Sequence, residues 1–144
     1  MDLVALFVCI FFSAFFSGVE IAFFSISELK LRALAEAGNA TAKMAHYLRS
    51  HPQRLLSTIL IGNNLANISA ASLGTLIALR LVGSEAVAIA TGLLTLVILI
   101  FGEIVPKTLA AKHALTVTVW VAYPIYWLET LLTPILFVLE PLIV

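Results

Sequence analysis

Ser13 and Ser17, Asn63, and Glu103 are polar side chains set inside three separate apolar stretches of this 144-residue chain. Hydrocarbon rejects an amide or a carboxylate, so residues of this kind at membrane depth line a substrate path or pair with one another. The donors on offer are hydroxyl, amide and carboxylate oxygens, with no cysteine or histidine at that depth. Hard oxygens suit Mg²⁺, Ca²⁺, Mn²⁺ or Na⁺ and disfavour Zn²⁺ or Cu⁺. The chemistry these residues point to is coordination of a dehydrated cation by three helices.

Each position has a functional and a structural reading. Ser13, Ser17 and Glu20 follow an i, i+4, i+7 spacing, one stripe of a helix. The serines either face a ligand or bond back to their own i−4 carbonyls. Glu20 is a candidate for a vestibule, a coupling-ion site or proton transfer. Asn63 and Asn67 share a face beside Gly62 and supply amide oxygens, which serve either an ion or helix–helix contact. Asn67 is grouped with Glu20 as a vestibule or coupling-ion residue. In Gly102-Glu103-Ile104-Val105-Pro106-Lys107, Pro106 has no N–H, so the Gly102 carbonyl loses its helical partner. A released carbonyl beside a carboxylate, with no side chain at Gly102, is a seat for a cation. The competing reading is a kink in which Lys107 neutralises Glu103 at i+4.

Three spans must position these residues. The chain is 62% hydrophobic and 11% charged, against about half and about a quarter in soluble domains, which makes it an integral membrane protein of all-α class. A helix needs about 20 residues to cross the hydrocarbon. Residues 3–27, 55–81 and 85–110 qualify, with Val82-Gly83-Ser84 as the turn of a hairpin. Counted from the linker side at about 1.5 Å per residue, Ser17, Asn63 and Glu103 lie about 15, 12 and 10 Å deep. The N-terminus lacks the basic region of a cleavable signal peptide. Net charge is zero, which leaves no basic face for nucleic acid.

Residues 28–54 carry five basic and two acidic side chains and form one or two amphipathic helices, broken at Gly38-Asn39. Leu29, Leu31, Leu34, Met44, Tyr47 and Leu48 are expected on the membrane surface. With Lys107 and Lys112 on the same side, the positive-inside rule puts this linker in the cytoplasm and the N-terminus outside. Residues 113–144 contain Pro124, Pro134 and Pro141, interfacial aromatics and Glu129. They are expected to form a bent helix along the cytoplasmic interface, with a fourth span as the alternative. The three histidines fall outside the apolar spans, and Cys9 reads as packing.

The succession Phe16-Ser17-Gly18-Val19-Glu20-Ile21-Ala22, Leu60-Ile61-Gly62-Asn63-Asn64-Leu65-Ala66-Asn67 and Phe101-Gly102-Glu103-Ile104-Val105-Pro106-Lys107 resembles the CorC/cyclin-M (CNNM) magnesium-transporter family. The resemblance covers residues 3 to 125 and implies a homodimer in the cell (inner) membrane, each subunit with three spanning helices and a belt-like juxtamembrane helix. It implies export of Mg²⁺ with inward Na⁺ movement as the driving force, and no enzymatic reaction. The ligands it implies are Ser13, Ser17, Asn63 and Glu103, with the Gly62 and Gly102 carbonyls as further candidates. Its members continue into cytosolic CBS domains, which are expected to be absent from residues 1–144. A different class of function, an ion-binding sensor or assembly module that moves nothing, is the main alternative. A hydrolase would need a serine and a histidine within reach, and an open pore fits a broken helix less well.

Overall fold

A computed structural model describes residues 1–143, so the expectation for Val144 lies outside the described residues. Helix α1 runs Asp2–Ser25, α2 Glu28–Glu36 and α3 Ala40–Arg49. Helix α4 runs Pro52–Leu99 with one break, then a π-helical turn at Ile100–Ile104, α5 at Val105–Lys112 and α6 at Ala114–Ile143. Among the described residues there is no strand, and the long apolar helices α1, α4–α5 and α6 are each sufficient in length and composition to cross a bilayer.

The break in α4 is Gly83, at φ 73° and ψ −176°. That backbone region is essentially closed to residues with a Cβ. It turns the chain back on itself, as expected for residues 82–84. Gly74 packs against Leu94, and Ala70 clusters with Leu6 and Ile98. Both hairpin pairs are centred on residue 84, the register of two antiparallel limbs, 52–82 and 84–99. Ala66, Ala70, Gly74 and Ala78 are all buried, so this small-residue stripe serves contact within the chain.

At the opposite end from Gly83, α2 and α3 fold under α1. Asn39 caps α3 by accepting from the Ala42 N–H at 3.0 Å. Arg49 donates to the Phe23 and Ile26 carbonyls, the latter at 3.0 Å. These are carbonyls at the end of α1 that have no helical donor. Leu31 and Leu48 are fully buried with Phe23, Leu55, Ile59 and Ile125. That corrects the expectation that they lie on the membrane surface. Leu29 stays exposed, whereas the inward faces of α2 and α3 are covered by α1, α4 and α6.

Helix α6 continues as one helical element through its three prolines. Its first turns border Gly18, Pro106 and Ala110, and its last turns border Gln53, Arg54 and Ser57. Both ends therefore meet residues toward the linker end of the bundle, away from Asp2 and Gly83. Glu129, nearly buried in its middle, faces Arg54 at 3.7 Å, which compensates a carboxylate otherwise costly in an apolar setting. Elsewhere Phe7, Phe11, Ile68 and Ile89 present about two-thirds of their surface outward. Helices apolar on their outer faces require lipid as solvent.

Candidate cation site

Antiparallel packing of α1 against the first limb of α4 brings the serines opposite the asparagines. Ser13 Oγ donates to Asn67 Oδ1 at 2.5 Å, and Ser17 Oγ donates to Asn63 Oδ1 at 3.3 Å. Advancing four residues on α1 moves four back on α4, so the two pairs are rungs about 6 Å apart along the bundle. Both serines are fully buried. Their hydroxyls are engaged across helices, not with their own i−4 carbonyls.

The third helix joins at the Ser13 rung. Asn67 Nδ2 donates to Glu103 Oε1 at 2.8 Å, and Ser13 Oγ also lies 3.2 Å from the Gly102 carbonyl oxygen. A hydroxyl has one hydrogen to give. The much shorter Asn67 contact takes most of it, and the Gly102 carbonyl keeps lone-pair capacity to spare. That carbonyl lies in the π turn, four residues before Pro106. The Val105 N–H reaches back five residues to Ile100, and Pro106 offers no donor to Gly102. Absence of a side chain at Gly102 is a steric requirement, because a Cβ there would stand 2.9 Å from Ser13 Oγ.

The structure thus gathers Ser13, Asn67, Gly102 and Glu103 into one connected group, with Ser17 and Asn63 as the adjacent rung. Two expected residues stand apart from it. Gly62 turns its Cα toward Phe16, whose ring would be 2.4 Å from an added Cβ, on the face that leads to Leu128 and Leu132. Glu20 pairs with Lys107 at 3.3 Å, and Lys107 accordingly does not neutralise Glu103. Asn67, set apart in the sequence as a vestibule residue, lies at the centre. Its signal was the hairpin register: Asn67 and Glu103 flank residue 85, one position from the turn that pairs Gly74 with Leu94.

The donor set is neutral oxygen plus one carboxylate. Among the described residues no three His, Cys, Asp or Glu side chains gather. Two hydroxyls, two amide oxygens, a carbonyl and a carboxylate are hard ligands in number sufficient for a six-coordinate ion. Such a set does not favour a soft metal.

An all-helical, multi-pass membrane domain with a polar network shared by three helices is the class that this fold and site define. The chain belongs to the cyclin M (CNNM) family: the profile of the cyclin M transmembrane N-terminal domain matches residues 4–143. It is 47% identical over 140 residues to a UPF0053 protein of Haemophilus influenzae, covering 90% of this chain and 33% of that protein. It is 45% identical over 131 residues to the UPF0053 inner membrane protein YfjD of Escherichia coli, covering 91% of this chain and 29% of the relative. A chloroplastic DUF21 domain-containing protein of Arabidopsis thaliana is 40% identical over 125 residues, covering 85% of this chain and 19% of the relative. The chain spans a third or less of the length of these curated relatives.

Proposed function

We propose that this domain binds a largely dehydrated Mg²⁺ at the Ser–Asn–Glu network and exports it from the cytoplasm, driven by inward Na⁺ movement. The observation that carries the reading is the connected group Ser13–Asn67–Glu103–Gly102, contributed by three helices inside apolar spans. Mg²⁺ sheds water reluctantly and demands near-octahedral oxygens at short range. Ser13, Ser17, Asn63 and Glu103 with the Gly102 carbonyl supply five oxygens from rigid helices, and Asn67 a sixth. The single carboxylate leaves the occupied site with net positive charge, which favours release over permanent capture.

Orientation follows from charge. Lys30, Arg32, Lys43, Arg49 and Arg54 sit at the end of the bundle that carries α2 and α3, together with Lys107 and Lys112. That end is cytoplasmic and the N-terminus is outside. Residues 84–112 then form the third span and α6 a belt on the cytoplasmic side, held to α4 by Glu129 and Arg54. Two copies assemble as a homodimer, as the family resemblance implies. The same bonds tie α1 to both limbs of the hairpin, which favours a second reading as an ion-binding sensor or assembly module. The two differ in whether bound Mg²⁺ crosses the membrane.

Calorimetric titration of Mg²⁺ into the purified wild type and Asn63→Ala, at matched oligomeric state, tests the binding claim. Saturable binding in the wild type, weakened at least about tenfold in the variant, is the expected result. Equal weak binding in both identifies the polar residues as helix-packing groups.

A further inference from the structure

Lys107 stands four residues beyond Glu103, the spacing at which a glutamate and a following lysine attract best on a helix. Under local forces alone its ammonium would settle on Glu103 and neutralise the only carboxylate in the network. The structure holds it elsewhere. Lys107 Nζ lies 3.3 Å from Glu20 Oε2, across the contact between α1 and α5. That contact is close: a Cβ on Gly18 would meet Ala110 Cβ at 3.6 Å and the Pro106 carbonyl at 3.7 Å. Glu20 is three residues past Ser17, on the serine stripe and toward the linker end. The side chains of Glu20 and Lys107 are 26% and 37% exposed, so the pair sits at the rim of the network and not in bulk solvent.

The geometry points to a two-position lysine. Paired with Glu20, Lys107 leaves Glu103 open to a cation; moved one helical turn to Glu103, it displaces that cation as a tethered ammonium. In both positions the lysine keeps a carboxylate partner; the carboxylate it leaves is either Glu103, covered by the cation, or Glu20, partly exposed at the rim, where an unpaired charge costs less than in a fully buried setting. Glu20 is then a positioning residue that acts through Lys107. This rests on the cation-site reading above.

The test is a double-mutant cycle read by Mg²⁺ calorimetry on the purified protein: wild type, Glu20→Gln, Lys107→Gln and the double variant, with Glu103→Gln as control. Glu20→Gln should weaken binding tenfold or more in the wild-type background, because the released lysine occupies Glu103. In the Lys107→Gln background the same substitution should change affinity by less than twofold. Glu20→Asp, which keeps the charge and shortens the reach, should weaken binding by a smaller factor that also vanishes when Lys107 is removed. It serves where Glu20→Gln does not fold. Equal factors in both backgrounds would mean that Glu20 acts only through its field, and would overturn the two-position lysine alone. Unaltered binding in Glu103→Gln would overturn the cation site and this inference with it.

Discussion

Glu103→Ala should abolish saturable Mg²⁺ binding and leave the bundle assembled. The carboxylate is the only charged group in the connected network, and it is held by a 2.8 Å bond from Asn67. Truncating one partner of a buried charge pair costs about 2–5 kcal/mol, which is a loss of at least roughly thirtyfold in affinity. An interhelical hydrogen bond in a membrane contributes only about 0.6 kcal/mol on average. Binding should therefore collapse while thermal stability and oligomeric state barely change. Retained affinity in a folded Glu103→Ala would remove the residue from direct contact with the ion.

Gly102→Ala should harm both binding and stability, although it adds a single methyl group. Its Cβ would sit 2.9 Å from Ser13 Oγ and 3.4 Å from Ser13 Cβ. Rotating the hydroxyl away relieves the clash only by breaking its contact with Asn67, the shorter of the two serine–asparagine bonds that link α1 to the hairpin. Overpacking of this kind costs about 1–3 kcal/mol. Mg²⁺ affinity should fall by at least about tenfold together with the unfolding temperature. Unchanged values in both measurements would show that α1 and the π turn are not in close contact.

The elements that could be read from the sequence were those set by a local rule. Twenty apolar residues define a span, Gly83 defines the turn, and Pro106 four residues after Gly102 defines a carbonyl without a helical donor. The candidate site was legible for the same reason, since an amide or carboxylate in hydrocarbon needs a partner. What escaped were relations between helices. Leu31 and Leu48 have the amphipathic spacing of a surface helix, and that spacing does not reveal whether the apolar face meets lipid or, as here, Phe23, Leu55 and Ile125. In the sequence Asn67 is grouped with Glu20, because a face shared with Asn63 does not reveal what lies opposite it. Its central place depends on the hairpin register opposite Glu103 and on the antiparallel register opposite Ser13. Lys107 offered an i+4 partner, and only the approach of α1 at Gly18 brings the competing carboxylate of Glu20 within reach.

Magnesium flux across a liposome membrane is the most direct test of the transport claim. Purified wild-type protein and Asn63→Ala would be reconstituted with a Mg²⁺-sensitive dye inside and a Na⁺ gradient imposed in either direction. The account predicts saturable Mg²⁺ movement in the wild type, accelerated when Na⁺ runs the opposite way and absent in Asn63→Ala. A wild type that binds Mg²⁺ in detergent yet leaves the dye unchanged under every gradient would contradict transport and leave the domain as an ion-binding sensor.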